Sequence, residues 1–240
     1  MKTFRKILRI VLLAIFSFIL LTSIYENVNI MVKRNELKKN LILDEVNSTA
    51  SKKIYIPKDG TTSDINHPGN FCDILITTPG AVPVPILRDI ITFTIGGHAG
   101  IVGMRYHDKY IGMSKTGTIE TTFNNDDKKA YIIDSSSWND ITVIPDYYIL
   151  RVKLTEEQAL IIFNEALSYL GDDYNLSFIF NTYNSSYCSD LISKAFRKAG
   201  INLNYDFGVT TVLDLAANKY VEMIGYKMSR KDVTYYYMNY

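Results

Sequence analysis

Ser185-Ser186-Tyr187-Cys188-Ser189-Asp190-Leu191-Ile192-Ser193-Lys194-Ala195-Phe196-Arg197-Lys198-Ala199-Gly200 reads as one short helix with a cysteine in its first turn. Leu191, Ile192, Ala195, Phe196 and Ala199 recur at helical spacing, and Cys188 stands on the same stripe one turn earlier. A hydroxyl of Ser185 or Ser186 suits the cap, where it accepts one of the unpaired first-turn amide hydrogens. Lys194, Arg197 and Lys198 crowd the end where the helix dipole favours cations, and Gly200 can close the helix in a left-handed conformation. The positive N-terminal end of such a helix stabilises a thiolate, and the thiolate is the nucleophilic form of cysteine. The plainer reading of a lone cysteine is a small buried apolar residue. Position on the helix favours chemistry.

Working outward, 240 residues with 47% apolar content suit one medium domain plus an appendage. A net charge of +1 gives no electrostatic reason to expect nucleic acid as the partner. Two cysteines, Cys72 and Cys188, exclude a disulfide-rich scaffold and zinc sites built on paired CxxC motifs, while a single bridge between them stays open. Three histidines, His67, His98 and His107, leave a short list of partners for an activated thiol.

The basic residues Lys2, Arg5, Lys6 and Arg9 precede an apolar run from Ile10 to Tyr25. This run is near the short limit for a membrane-spanning helix, about 17 residues. A cleaved signal peptide has the same outline, but no small-x-small cleavage site follows, so the run reads as an uncleaved anchor. The basic end stays inside under either reading, which places the remainder outside the cytoplasm. Residues 1–25 are thus expected to form the anchor or signal, 26–67 a polar juxtamembrane stalk, and 68–240 the globular domain. The stalk shows a weak helical period in Val28, Met31, Leu37 and Leu41, and a short strand near Lys53 to Pro57.

Within the domain, strands are expected at 71–77, 96–104, 110–114, 118–123, 130–134, 146–152 and 220–226. Helices are expected at 86–95, 155–170 and 211–218, beside the one carrying Cys188. The tyrosine-rich end, Tyr235 to Tyr240, is either packed or membrane-proximal.

A thiol nucleophile needs a base, and the base needs a third polar group to orient it. His98 opens a strand after a diglycine in an otherwise apolar segment, whereas His67 and His107 stand in polar turns. Such a histidine is often a satisfied core residue; as a base it would be oriented by Ser114 or by Glu120.

Four segments, in this order, resemble the circularly permuted papain-like NlpC-type cysteine hydrolases of the YiiX/YebB-like group. Cys72-Asp73-Ile74-Leu75 is similar to that family's Gly-Asp-Ile strand, and His98-Ala99-Gly100-Ile101-Val102 to its histidine strand. Leu170-Gly171-Asp172-Asp173-Tyr174-Asn175 resembles its Leu-Gly-x-x-Tyr-Asp link, and Tyr187-Cys188-Ser189-Asp190-Leu191-Ile192 its nucleophile helix. The resemblance covers residues 69–200 and has histidine before cysteine, the reverse of ordinary papain order.

The resemblance implies an α+β fold, an antiparallel sheet carrying His98 packed against the Cys188 helix. It makes Cys188 the nucleophile, His98 the base and Ser114 the third polar residue, with Asp73 and Tyr187 near substrate. Cys72 stands where the family has glycine, Asp190 where it has glutamate, and Ser114 where a carboxylate is common. The implied reaction is cofactor-free hydrolysis or transfer at an amide, ester or thioester. A cell-wall peptide is the first substrate expectation and a lipid amide or ester the second. A binding module that keeps the fold without turnover is the alternative of another class.

Overall fold

The computed structural model describes residues 2–59, 65, 68–77, 85–103, 117–121, 129–140, 144–175, 177, 185–204 and 209–239. The chain opens with helix α1 (Lys2–Lys39), followed by strands β1 (Leu41–Leu43), β2 (Lys52–Pro57) and β3 (Ile74–Thr77). Helix α2 (Pro85–Thr94) precedes β4 (Ala99–Val102), β5 (Gly117–Thr121), β6 (Ala130–Asp134) and β7 (Asp146–Val152). Then come α3 (Glu156–Ser168), the short strands β8 (Asp173–Tyr174) and β9 (Ser185–Ser186), and α4 (Cys188–Lys198). Helix α5 (Val212–Ala217) and the strands β10 (Val221–Arg230) and β11 (Val233–Met238) complete it.

Among the described residues, nine strands form one sheet in the order β1-β2-β11-β10-β7-β3-β4-β5-β6. Its neighbours pair antiparallel except β11 with β2. Side chains alternate between the faces of a strand, so a central strand covered on both sides must be apolar throughout. Strand β3 obeys this. Ile74 and Ile76 join the core beneath the helices, with Ile101, Ile162, Leu191 and Phe196. Leu75 faces the other way, with Ile149, Val102, Trp138 and Tyr147. The sheet against helices is the α+β arrangement expected from the sequence.

Two helix ends are set locally, the second as expected. Thr155 caps α3 through a reciprocal capping box with Gln158. Gly200 closes α4 at φ +80°, a conformation a Cβ disfavours.

Other expectations need correction. The expected anchor segment and the first part of the expected stalk are one continuous helix, and the stalk adds β1 to the sheet beside the expected strand β2. The stripe of α1 that packs on the domain is Ser23, Glu26, Ile30 and Leu37, while Val28 and Met31 face outward. The tyrosine-rich end is packed as β11, with Tyr237 stacked between Tyr55 (4.6 Å) and Tyr226 (4.3 Å). Tyr226 belongs to β10, which runs to Arg230, four residues past the expected end.

Candidate active site

Helix α4 begins one residue after β9, which pairs in parallel with β8, Ser186 opposite Tyr174. Ser185 and Ser186 are therefore strand residues, and the expected serine cap is absent. Tyr187 occupies the N-cap in extended conformation without a side-chain cap bond. The first-turn amides are left to other acceptors. Cys188 is the first helical residue, and the Ser189 amide is directed at its sulfur. Asp190 in the same turn suits the dipole and pairs with Lys194 at 2.7 Å.

His98 arrives from a different element, the turn between α2 and β4. It follows the Gly96-Gly97 pair, and its carbonyl accepts from the Thr77 amide at 2.9 Å, tying it to β3 just before β4 begins. Gly96 has φ +83°, and a Cβ there would stand 3.0 Å from Cβ of Val212, so glycine lets this turn press against α5. The Val212 amide donates to Ile95 O at 3.0 Å and fixes the same contact.

The two elements bring the His98 imidazole into a hydrogen bond with the Cys188 sulfur. Burial pushes the thiol pKa up, but the bond to His98, its charge, and the Ala99 and Ser189 amides outweigh burial. The pKa falls below the ordinary thiol value. Gly97 O is 4.0 Å from the sulfur. Trp138 stacks on His98 with ring centroids 5.9 Å apart and planes 18° from parallel. The Trp138 carbonyl in turn accepts from the buried Lys227 ammonium at 2.9 Å. Spacing along the chain gave no hint of Trp138; its being the lone tryptophan was the one available signal.

Asp73 is buried and bonded to Arg151 by two bonds of 2.8 Å, and its Oδ2 also accepts from the Asn70 amide at 2.6 Å. Both carboxylate oxygens are engaged within the fold. Tyr187 is buried with its phenol bonded to the Thr210 backbone, and burial, with the Asp190 charge, raises its pKa. Tyr174 of the link motif lies within electrostatic reach of the Cys188 sulfur. Ser114 lies outside the described residues. Glu120 stands opposite Gly100 in the β4–β5 register.

Cys72 adopts φ +64°, which explains why glycine suits this position. Its thiol donates to Ala159 O at 3.2 Å, and burial, with the Asp73 charge, pushes its pKa up to about 12. Both cysteines are free, so the bridge left open by the sequence is not formed.

Residues 86–214, more than half of the chain, match the sequence profile described as permuted papain-like amidase enzyme, YaeF/YiiX, C92 family. The fold is similar to the crystal structure of the metalloprotein YiiX from Escherichia coli O157:H7. The TM-score is 0.52 at 15% identity, covering 67% of this chain and 98% of that one. Comparison with curated protein sequences finds no match. Among the described residues, no three His, Cys, Asp or Glu side chains converge as metal ligands would.

Proposed function

The chain belongs to the permuted papain-like amidase family, and on that premise we propose that Cys188 and His98 are its catalytic pair. The observation that carries the proposal is the imidazole-bonded sulfur, whose pKa is held low despite burial. The thiol proton passes to His98, and the thiolate attacks the carbonyl carbon of the scissile amide. The Cys188 backbone amide, at the first position of α4, contributes to stabilising the oxyanion. Collapse of the tetrahedral intermediate breaks the C–N bond, His98 gives its proton to the leaving amine, and a thioester remains. Water, deprotonated by His98, then releases the acid and restores the thiol.

Replacing Cys188 or His98 by alanine abolishes turnover, and replacing both costs little more, because residues acting as a unit are non-additive. Clearly additive losses refute the shared role. Correctly folded single variants that bind amide substrates as the parent does, with no turnover lost, indicate a binding module instead.

Ser114 is the proposed orienter of His98 and Glu120 its rival. A neutral hydroxyl bond of about 1.4 kcal/mol sets a tenfold loss for Ser114→Ala. A silent Ser114→Ala beside a crippled Glu120→Gln transfers the role to Glu120.

Helix α1 is long and apolar enough to cross a membrane. The basic residues before its apolar run support an uncleaved anchor with the domain on the extracytoplasmic face. Amides of cell-wall peptides are the first substrate class there. A lipid amide or ester is the second reading, favoured by the exposed apolar helix α2 four residues before His98.

A further inference from the structure

Helix α2 has no buried residue. Ile86 is 74% exposed, Leu87 48%, Ile90 54% and Phe93 36%. At 100° per residue these four fall on one broad stripe, with Arg88 and Thr92 on the opposite side. A helix of this kind ordinarily buries its stripe in a core. Here the stripe faces outward. An amphipathic helix with an exposed apolar face, lying flat, is the form of an interfacial membrane helix.

The neighbour of α2 identifies what covers it. The apolar run of α1 from Ile10 to Leu21 is exposed over about 18 Å, and the long side chains of Arg5, Lys6 and Arg9 before it can snorkel to the interface and extend the span toward a bilayer core of roughly 30 Å. From Ser23 onward one face of α1 is buried on the domain, so the core of the bilayer ends near Leu21. Asn27, about 9 Å further along α1, donates from Nδ2 to Phe93 O of α2 at 2.9 Å. That height falls in the headgroup layer or at its edge, the depth at which interfacial helices lie.

We infer that α2 is a membrane-contact helix, its Ile86, Leu87, Ile90 and Phe93 face seated in the lipid interface around the exit of α1. The inference rests on the reading of α1 as a membrane-spanning anchor. Arg88, opposite the stripe, is half-exposed and pairs with the exposed Asp89 at 3.7 Å. The turn at Gly96 is pressed on α5 and leads directly into His98, so α2 is held close to the candidate pair, which then lies near the bilayer surface.

The test uses the full chain in phosphatidylcholine bilayers, with and without acyl-chain bromination, which quenches indole emission on contact. Single variants Ile90→Trp and Ile86→Trp report on α2, and Leu21→Trp on α1. Val46→Trp, on the exposed β1–β2 loop, is the control, and the parent's Trp138 signal is subtracted. The expected result is loss of emission for Ile90→Trp, Ile86→Trp and Leu21→Trp on bromination, with Val46→Trp unchanged. Unquenched indoles on α2 overturn the inference. A blue shift of those indoles that grows with protein concentration, without lipid quenching, shows that a second copy covers the face and equally overturns it. An unquenched Leu21→Trp removes the anchor and leaves the α2 result to be judged by its own indoles.

Discussion

At the scale of single residues, Asp73 and Cys72 show how one turn serves folding beside the site. The Asp73 carboxylate is closed on Arg151 and the Asn70 amide, so its removal leaves a guanidinium without its counter-charge. Breaking a buried pair costs about 3–5 kcal/mol, and Arg151, whose side chain is 28% exposed, places Asp73→Ala near the low end. The expected outcome in urea melts is a loss of about 3 kcal/mol, with kcat/KM per folded molecule retained. A raised KM without loss of stability contradicts this and restores a substrate contact. Cys188 and His98 were legible in the sequence because each lies in a local motif whose spacing carries its meaning. The partners of Asp73 and His98 were not. Arg151 lies 78 positions from Asp73, and Trp138 reaches His98 from a separate part of the chain, so neither contact leaves a local pattern.

At the scale of elements, the second half of α1 is docked on the domain. Its Lys33 ammonium donates to the carbonyls of Ala216, Asn218 and Val221, at 2.7, 2.7 and 2.6 Å. These carbonyls lie at the C-terminal end of α5 and the start of β10, where a cation meets the negative end of the helix dipole. Lys33→Met keeps the aliphatic stem and removes the donor. It is expected to cost about 2–3 kcal/mol, the scale of bonds to a charged group, read as a lower melting midpoint of the full chain in detergent. An unchanged midpoint would show that apolar packing alone docks the helix. The sequence pointed to an apolar first half and a polar second half, from which a boundary near residue 25 was natural. Tertiary packing overrides that boundary, because Ser23 and Glu26 are buried polar residues and Lys33 bonds to carbonyls of the domain, none of which periodicity discloses. The serine cap of α4 failed similarly. Pairing of β9 with β8 claimed Ser185 and Ser186 first.

At the scale of the whole molecule, one sheet places the two halves of the site opposite each other. Strand β4 follows His98, and α4 packs its apolar stripe on the same face, so the core that holds the sheet to the helices also sets the imidazole at the sulfur. The sheet order was only partly legible. Alternation and apolar runs located most strands, but the parallel pairing of β11 with β2 joins chain ends that share no local signal. We propose that this arrangement makes Cys188 a thiolate nucleophile sustained by His98. Alkylation of the full chain by iodoacetamide across a pH series, with each cysteine followed by mass spectrometry, tests it most directly. Cys188 is expected to react well below about pH 8, and His98→Gln to move its titration upward into the ordinary thiol range. Cys72, with its pKa pushed up to about 12, serves as the unreactive internal control. A Cys188 that stays as inert as Cys72, or whose reactivity ignores His98→Gln, contradicts the account.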